Sequence, residues 1–216
     1  VTAVLKLLIG RLRQAWPEVP IIVRGDSGFC RERLMRWCER RGVGYILGVA
    51  RNARLENQVS MVEQALAEQY AASGVKQREI GEFTYAAHGW ARERRVITRL
   101  EYGAQGNNPR FVVTNVAGRA DELYDALYCQ RGEAENRIKE VQLDLFGTRA
   151  SCHKFVTNQF RLLLAALAYT LMHRLRALAL QATELANASA ATIRVRLLKI
   201  GVAMLRNTRR VRLMYA

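Results

Sequence analysis

Ile21-Ile22-Val23 runs straight into Arg24-Gly25-Asp26-Ser27-Gly28-Phe29. A short β-branched run, bounded by turn residues and followed by a helical pattern, reads as a buried strand of a parallel sheet. The helix is expected over about residues 31–41, with Leu34, Met35 and Cys38 facing inward and Gly42 as its C-cap. A second strand at about residues 45–50 completes a strand–helix–strand unit, whose crossover is right-handed. Upstream, the spacing of Leu5, Leu8, Ile9 and Leu12 predicts an amphipathic helix over residues 2–15, which Pro17 and Pro20 stop.

Downstream of Ala50 the texture changes. A helix is expected at 59–72, then strands near 83–85, 95–102 and 110–116, with the turn-rich 103–109 closing a hairpin. Residues 51–118 therefore read as a mostly antiparallel β insertion. Helices follow at about 121–145, 154–182 and 190–205, and no internal repeat is evident. The expected organisation is a partial core over 1–50, the β-rich insertion over 51–118, core helices over 119–182 and a basic tail over 183–216.

The chain has 216 residues, of which 50% are hydrophobic and 25% charged, so intrinsic disorder is excluded. With 15 Gly and only 3 Pro, so is a collagen-like or low-complexity chain. Cys30, Cys38, Cys129 and Cys152 show no paired spacing, which fits reduced thiols in a cytoplasm. His153 beside Cys152 has no second pair at zinc-ligand spacing, and a structural role is expected for it. Nothing in residues 1–9 resembles a signal peptide. The apolar run 162–172 is too short to span a bilayer and is expected to be a buried core helix, so no membrane partner is expected.

The charge is uneven. Residues 1–144 hold 22 basic and 18 acidic residues, whereas 145–216 hold 12 basic residues and one acid, Glu184. With a formal net charge of +15, this asymmetry favours a polyanionic partner, nucleic acid or an anionic membrane surface, over solvated helix faces. Arg194, Arg196, Lys199, Arg206, Arg209, Arg210 and Arg212 are candidates for tracking a nucleic-acid backbone, the alternative being a solvated helix face and a frayed tail.

Two acids stand out. Asp26 closes the first strand, where open α/β sheets bind ligands, between glycines that admit close approach. Its alternative reading is a turn former or a helix cap. Glu135 lies with Tyr128, Arg131 and Lys139 at spacings of three, seven and eleven residues. On a continuous helix these fall within an arc of roughly 80°. Beside them runs an apolar stripe of Leu127, Ala134, Ile138, Val141 and Leu145. Its alternative reading is a salt-bridged helix surface, since Arg131–Glu135 and Glu135–Lys139 are both four apart.

Taken together the segments resemble the DDE transposases of bacterial insertion sequences, in the group with a Tyr-Arg-Glu-Lys signature, and most of all insertion-sequence family thirteen-eighty. The resemblance rests on 24–30, on 128–140 and on Ser151-Cys152-His153 leading into Asn158-Gln159-Phe160-Arg161. It implies an α/β, ribonuclease-H-like (retroviral-integrase-like) core with a β-rich insertion and a helical C-terminal part. It also implies strand cleavage and strand transfer on DNA, with two Mg²⁺ (or Mn²⁺) ions held by three carboxylates. Asp26 would be the second carboxylate and Glu135 the third. Arg131 would hold a phosphate of the transposon end, and Tyr128 would orient that end. The partners implied are transposon ends and target DNA in the nucleoid, with a possible homodimer.

Two departures qualify this. The signature Lys is expected seven residues after the Glu, where Gln142 stands, and Lys139 would substitute. The only acid before Asp26 is Glu18, between two prolines, so the core is expected to be incomplete at its N-terminus and this chain alone not to cleave DNA. A non-catalytic basic DNA-binding protein and a nuclease without strand transfer are the alternatives.

Overall fold

A computed structural model describes residues 2–215, the side chains of Arg131 and Tyr215 excepted. It forms two compact units, Val1–Arg131 and Gly132–Ala216.

The first unit begins with α1 (Thr2–Ala15), followed by β1 (Ile22–Gly25), α2 (Glu32–Arg40) and β2 (Gly44–Val49). β1 and β2 pair in parallel, with Ile22 opposite Gly44 and Gly25 opposite Leu47, as the β-branched run predicts. Gly42 takes φ +61°, a left-handed conformation that lets the chain leave α2 and turn into β2. α3 (Ala53–Ser73) starts where the Asn52 side chain accepts the Leu55 N–H at 3.1 Å, and it ends at Gly74 with φ +66°.

Four strands follow: β3 (Gln77–Tyr85), β4 (Arg94–Gly103), β5 (Gly106–Asn107) and β6 (Arg110–Thr114). They do not fold aside. The sheet order is β1-β2-β6-β4-β3 with β5 beside β4, so residues 77–114 continue the sheet that β1 and β2 begin. β6 runs antiparallel to β2, with Leu47 opposite Val113.

Alternation along β2 sorts the core into two layers. Tyr45 and Leu47 join Leu34, Met35, Cys38, Leu55 and Val59 on the face covered by α1, α2 and α3. Ile46 points the other way, toward Ile97, Val112, Leu123 and Tyr124. Burying each such large side chain contributes about 1.5–3 kcal/mol, enough to fix the register. The buried Arg94 guanidinium has its partners: it donates to Glu39 and Glu32, each at 2.7 Å, and the Tyr45 hydroxyl donates to Glu39 at 2.8 Å.

The helix that covers the second face differs from the sequence expectation. In place of one rod over 121–145, α4 (Ala120–Glu122) passes into π-helical turns at Leu123–Tyr128, where the Cys129 N–H bonds to the Tyr124 carbonyl. Two turn residues, 129 and 130, then break the helix. The cause is long-range: the Leu127 carbonyl, which a continuous helix would offer to the fourth residue on, accepts the Arg24 guanidinium at 2.7 Å. Tyr128 is therefore not on the helix that carries Glu135.

The second unit contains α5 (Arg131–Lys139) with π-helical turns at Glu140–Asp144, then α6 (Phe155–Leu175) with π-helical turns at Arg176–Leu180. Its small core gathers Met172, Leu180, Ala190 and Ile193. Beside that core Glu140 and Arg176 form a buried ion pair, and Glu140 also accepts the Ala190 N–H at 2.6 Å.

Three expectations for this region are corrected. Residues 134 and 138 are exposed, so the apolar stripe of α5 is not buried. Leu163, Leu167 and Leu171 of α6 are more than half exposed, so 162–172 is not a buried core helix. Among the described residues, 155–180 is also one helix long and apolar enough to cross a membrane by length and composition. Finally, 190–205 is not one helix: α7 (Ala190–Ile193) and π-helical turns at Arg194–Leu198 give way to a hairpin of β7 (Val202–Arg206) and β8 (Val211–Tyr215). Its turn is built by the Asn207 side chain, which accepts the N–H groups of Arg209 and Arg210 at 3.0 and 2.7 Å.

Candidate active site

Asp26 stands exposed just beyond the carboxyl end of β1. Its Oδ1 accepts the Gly28 N–H at 2.9 Å, and the Phe29 N–H bonds back to the Asp26 carbonyl at 3.1 Å. Glycine is required at residue 25, since a Cβ there would lie 2.9 Å from the Phe29 side chain, which packs on the core. The bland reading of Asp26 as a turn former thus holds, and the same turn fixes its carboxyl group at the strand end.

Tyr128 is brought to this turn. Gly48 of β2 faces the layer that holds Tyr128, and a Cβ there would lie 2.8 Å from the Tyr128 hydroxyl oxygen. The same point is 3.2 Å from the Ser27 nitrogen and 3.3 Å from the Asp26 carbonyl carbon. The absent side chain of Gly48 therefore leaves the room that the hydroxyl and the Asp26–Ser27 peptide each occupy beside β2. Arg24 holds the other end of this contact through Leu127, and its guanidinium is 3.5 Å from the Gln130 Oε1. The Tyr124 and Tyr128 rings pack with centroids 5.6 Å apart.

Glu135 and Lys139 are exposed on α5, one helical turn apart, in the second unit. The Arg131 side chain lies outside the described residues. Gln142 falls in the π-helical turns after α5 and is exposed. Within one unit, then, the structure places the Tyr128 hydroxyl and the Asp26 turn both over Gly48, and within the other it places Glu135 beside Lys139.

Sequence reasoning missed Arg24, Gly48 and the Glu140–Arg176 pair. Arg24 and Gly48 flank the expected motif on neighbouring strands. Their partners lie 103 and 80 residues away, and no local pattern signals them.

Burial pushes the Cys30 thiol up to about 11 despite Arg94 and Arg31, and burial with Glu39 pushes Cys38 to about 11. Burial also tends to raise Glu39, but hydrogen bonds from Arg94, Tyr45 and Arg92 outweigh it and hold the carboxyl below the usual range.

Among the described residues, no group of three or more His, Cys, Asp or Glu gathers as a metal-binding cluster. The donor chemistry of Asp26 and Glu135 nonetheless suits a hard divalent ion, because carboxylate oxygens on exposed positions leave room for water and phosphate. No curated protein and no solved structure matches the chain. A model of the transposase DDE domain, group 1, matches residues 1–216. Transposases of this kind generally use divalent metal ions to cut DNA. The chain belongs to the transposase DDE domain family, group 1.

Proposed function

We propose that this chain takes part in metal-dependent DNA strand cleavage and strand transfer during transposition of an insertion sequence, on a ribonuclease-H-like core. The observation that carries the reading is the Asp26 turn at the carboxyl end of β1, with the Tyr128 hydroxyl seated beside it over Gly48. Asp26 and Glu135 would hold Mg²⁺ or Mn²⁺, which when bound activates a hydroxyl nucleophile and stabilises the leaving oxygen. Tyr128, fixed at the Asp26 turn, would orient the DNA end, and Arg131 would grip a phosphate with two parallel hydrogen bonds. Lys139, one turn from Glu135, would supply the cation that Gln142 lacks.

The test uses the purified full-length gene product. Asp26→Asn and Glu135→Gln are each expected to abolish Mg²⁺-dependent cutting of an end-bearing duplex while leaving duplex binding nearly intact. If both variants cut normally, the catalytic reading fails and a DNA-binding module remains. Cutting without joined products on a second duplex would instead make the protein a nuclease.

A further inference from the structure

α1 contains no acidic residue, and its Lys6 and Arg13 face α2 across a groove of about 960 Å³. From the other wall come Arg40, Arg41 and the half-buried ring of Trp37, and among the described residues no carboxylate lines the groove. α2 does carry acids, but they turn away. Glu32 and Glu39 are engaged by Arg94, and Glu39 also by Tyr45 and Arg92, so Glu39 does not neutralise the neighbouring Arg40.

The cations are also held in place. The Arg13 guanidinium donates to the Pro17 and Val19 carbonyls, both at 2.7 Å, which keeps its charge at the groove end. The Lys6 ammonium lies 5.8 Å from the centre of the Trp37 ring. Lys6 and Arg13 are seven residues apart, which is about 10 Å along a helix at 1.5 Å per residue. One DNA strand carries a phosphate about every 3.4 Å along its axis, so this span covers roughly three phosphate steps and exceeds a single phosphate group.

We infer that the α1–α2 groove is a binding site for the sugar–phosphate backbone of duplex DNA, separate from the Asp26 turn. The inference rests on the proposed function for its ligand class, and on the unneutralised cations for its place. Lys6, Arg13, Arg40 and Arg41 contact successive phosphates without reading bases, so the site is indifferent to sequence. Gly10 lies on the α1 wall, and a Cβ there meets no atom within 4 Å.

Gly10→Glu therefore tests the site without disturbing packing, because Glu is a better helix former than Gly and its side chain enters open space. Fluorescence anisotropy with a short random-sequence duplex, over a range of salt, measures the effect. Gly10→Glu is expected to weaken binding about tenfold or more. The double variant Lys6→Gln/Arg40→Gln should lower the slope of log affinity against log salt by about two. If both variants bind with wild-type affinity and slope, the groove is not a DNA site, while the proposed function stands. If the unmodified chain binds no duplex at all, the groove site and the DNA partner fall together.

Discussion

Gly48→Ala tests whether the Tyr128 hydroxyl is seated against the Asp26 turn. In a strand interior, replacing Gly by Ala ordinarily stabilises by roughly 0.5–1 kcal/mol, because glycine has more backbone freedom to lose. Here the new methyl would sit 2.8 Å from the Tyr128 oxygen, with the Ser27 nitrogen and the Asp26 carbonyl carbon at 3.2 and 3.3 Å. Two of those three neighbours are backbone of a closed turn, so the tyrosine must give way, by about half an ångström to regain an ordinary contact. Overpacking of this kind costs about 1–3 kcal/mol, which reverses the ordinary sign and leaves a net loss of about 0.5–2 kcal/mol. Urea denaturation measures that loss. Tyr128→Phe removes the oxygen, so the penalty of Gly48→Ala should shrink by about 1 kcal/mol in that background, a coupling a double-mutant cycle isolates. A Gly48→Ala variant more stable than wild type, or a penalty unchanged in Tyr128→Phe, would show that the hydroxyl is not there.

Other perturbations probe the supports around the site. Glu39→Gln deprives the buried Arg94 of its main partner but leaves Glu32, so the loss should fall at the low end of roughly 3–5 kcal/mol in a thermal melt. Because the Glu39 carboxyl is held below its ordinary value of 4.5, its contribution is present above that pH and is lost as pH falls toward the lowered value. Wild type should thus lose stability on acidification below about pH 4.5 more steeply than Glu39→Gln, and equal slopes would refute the pairing. Arg24→Met frees the Leu127 carbonyl. Amide exchange over 123–129 should rise, with a loss of about 1–3 kcal/mol, and unchanged exchange would refute the clamp. Glu140→Gln leaves Arg176 buried without its countercharge, so the second unit should become sensitive to proteolysis near 176–193, a change that a surface pair would not produce.

The strand–helix–strand unit was legible because its signals are local: Pro20, the run Ile21–Val23, the inward spacing of Leu34, Met35 and Cys38, and Gly42. The Asp26 turn was legible for the same reason, being closed by its own glycines. The helix break at 129 and 130 was not, because Arg24 causes it from another strand, and helical periodicity cannot register a carbonyl taken by a distant guanidinium. Gly48 looked like an ordinary weak strand residue until Tyr128 stood over it. Residues 202–205 of the hairpin fall at the end of the helix expected over 190–205, because four residues are too few to distinguish a period of two from one of 3.6. The deciding signal, the Asn207 turn, falls outside the segment first read. The basic groove went unnoticed because α1 and α2 each look like an ordinary amphipathic helix when taken alone.

The proposed function requires Asp26 and Glu135 to hold the same metal. Iron-directed backbone scission reads this directly: Fe²⁺ replaces Mg²⁺, hydroxyl radicals are generated at the bound ion, and the cut peptides are mapped by mass. Cuts should flank residue 26 and residue 135 together, and either Asp26→Asn or Glu135→Gln should remove both sets. Scission at one residue alone, or at both but independently lost, would contradict a shared ion and with it the proposed chemistry.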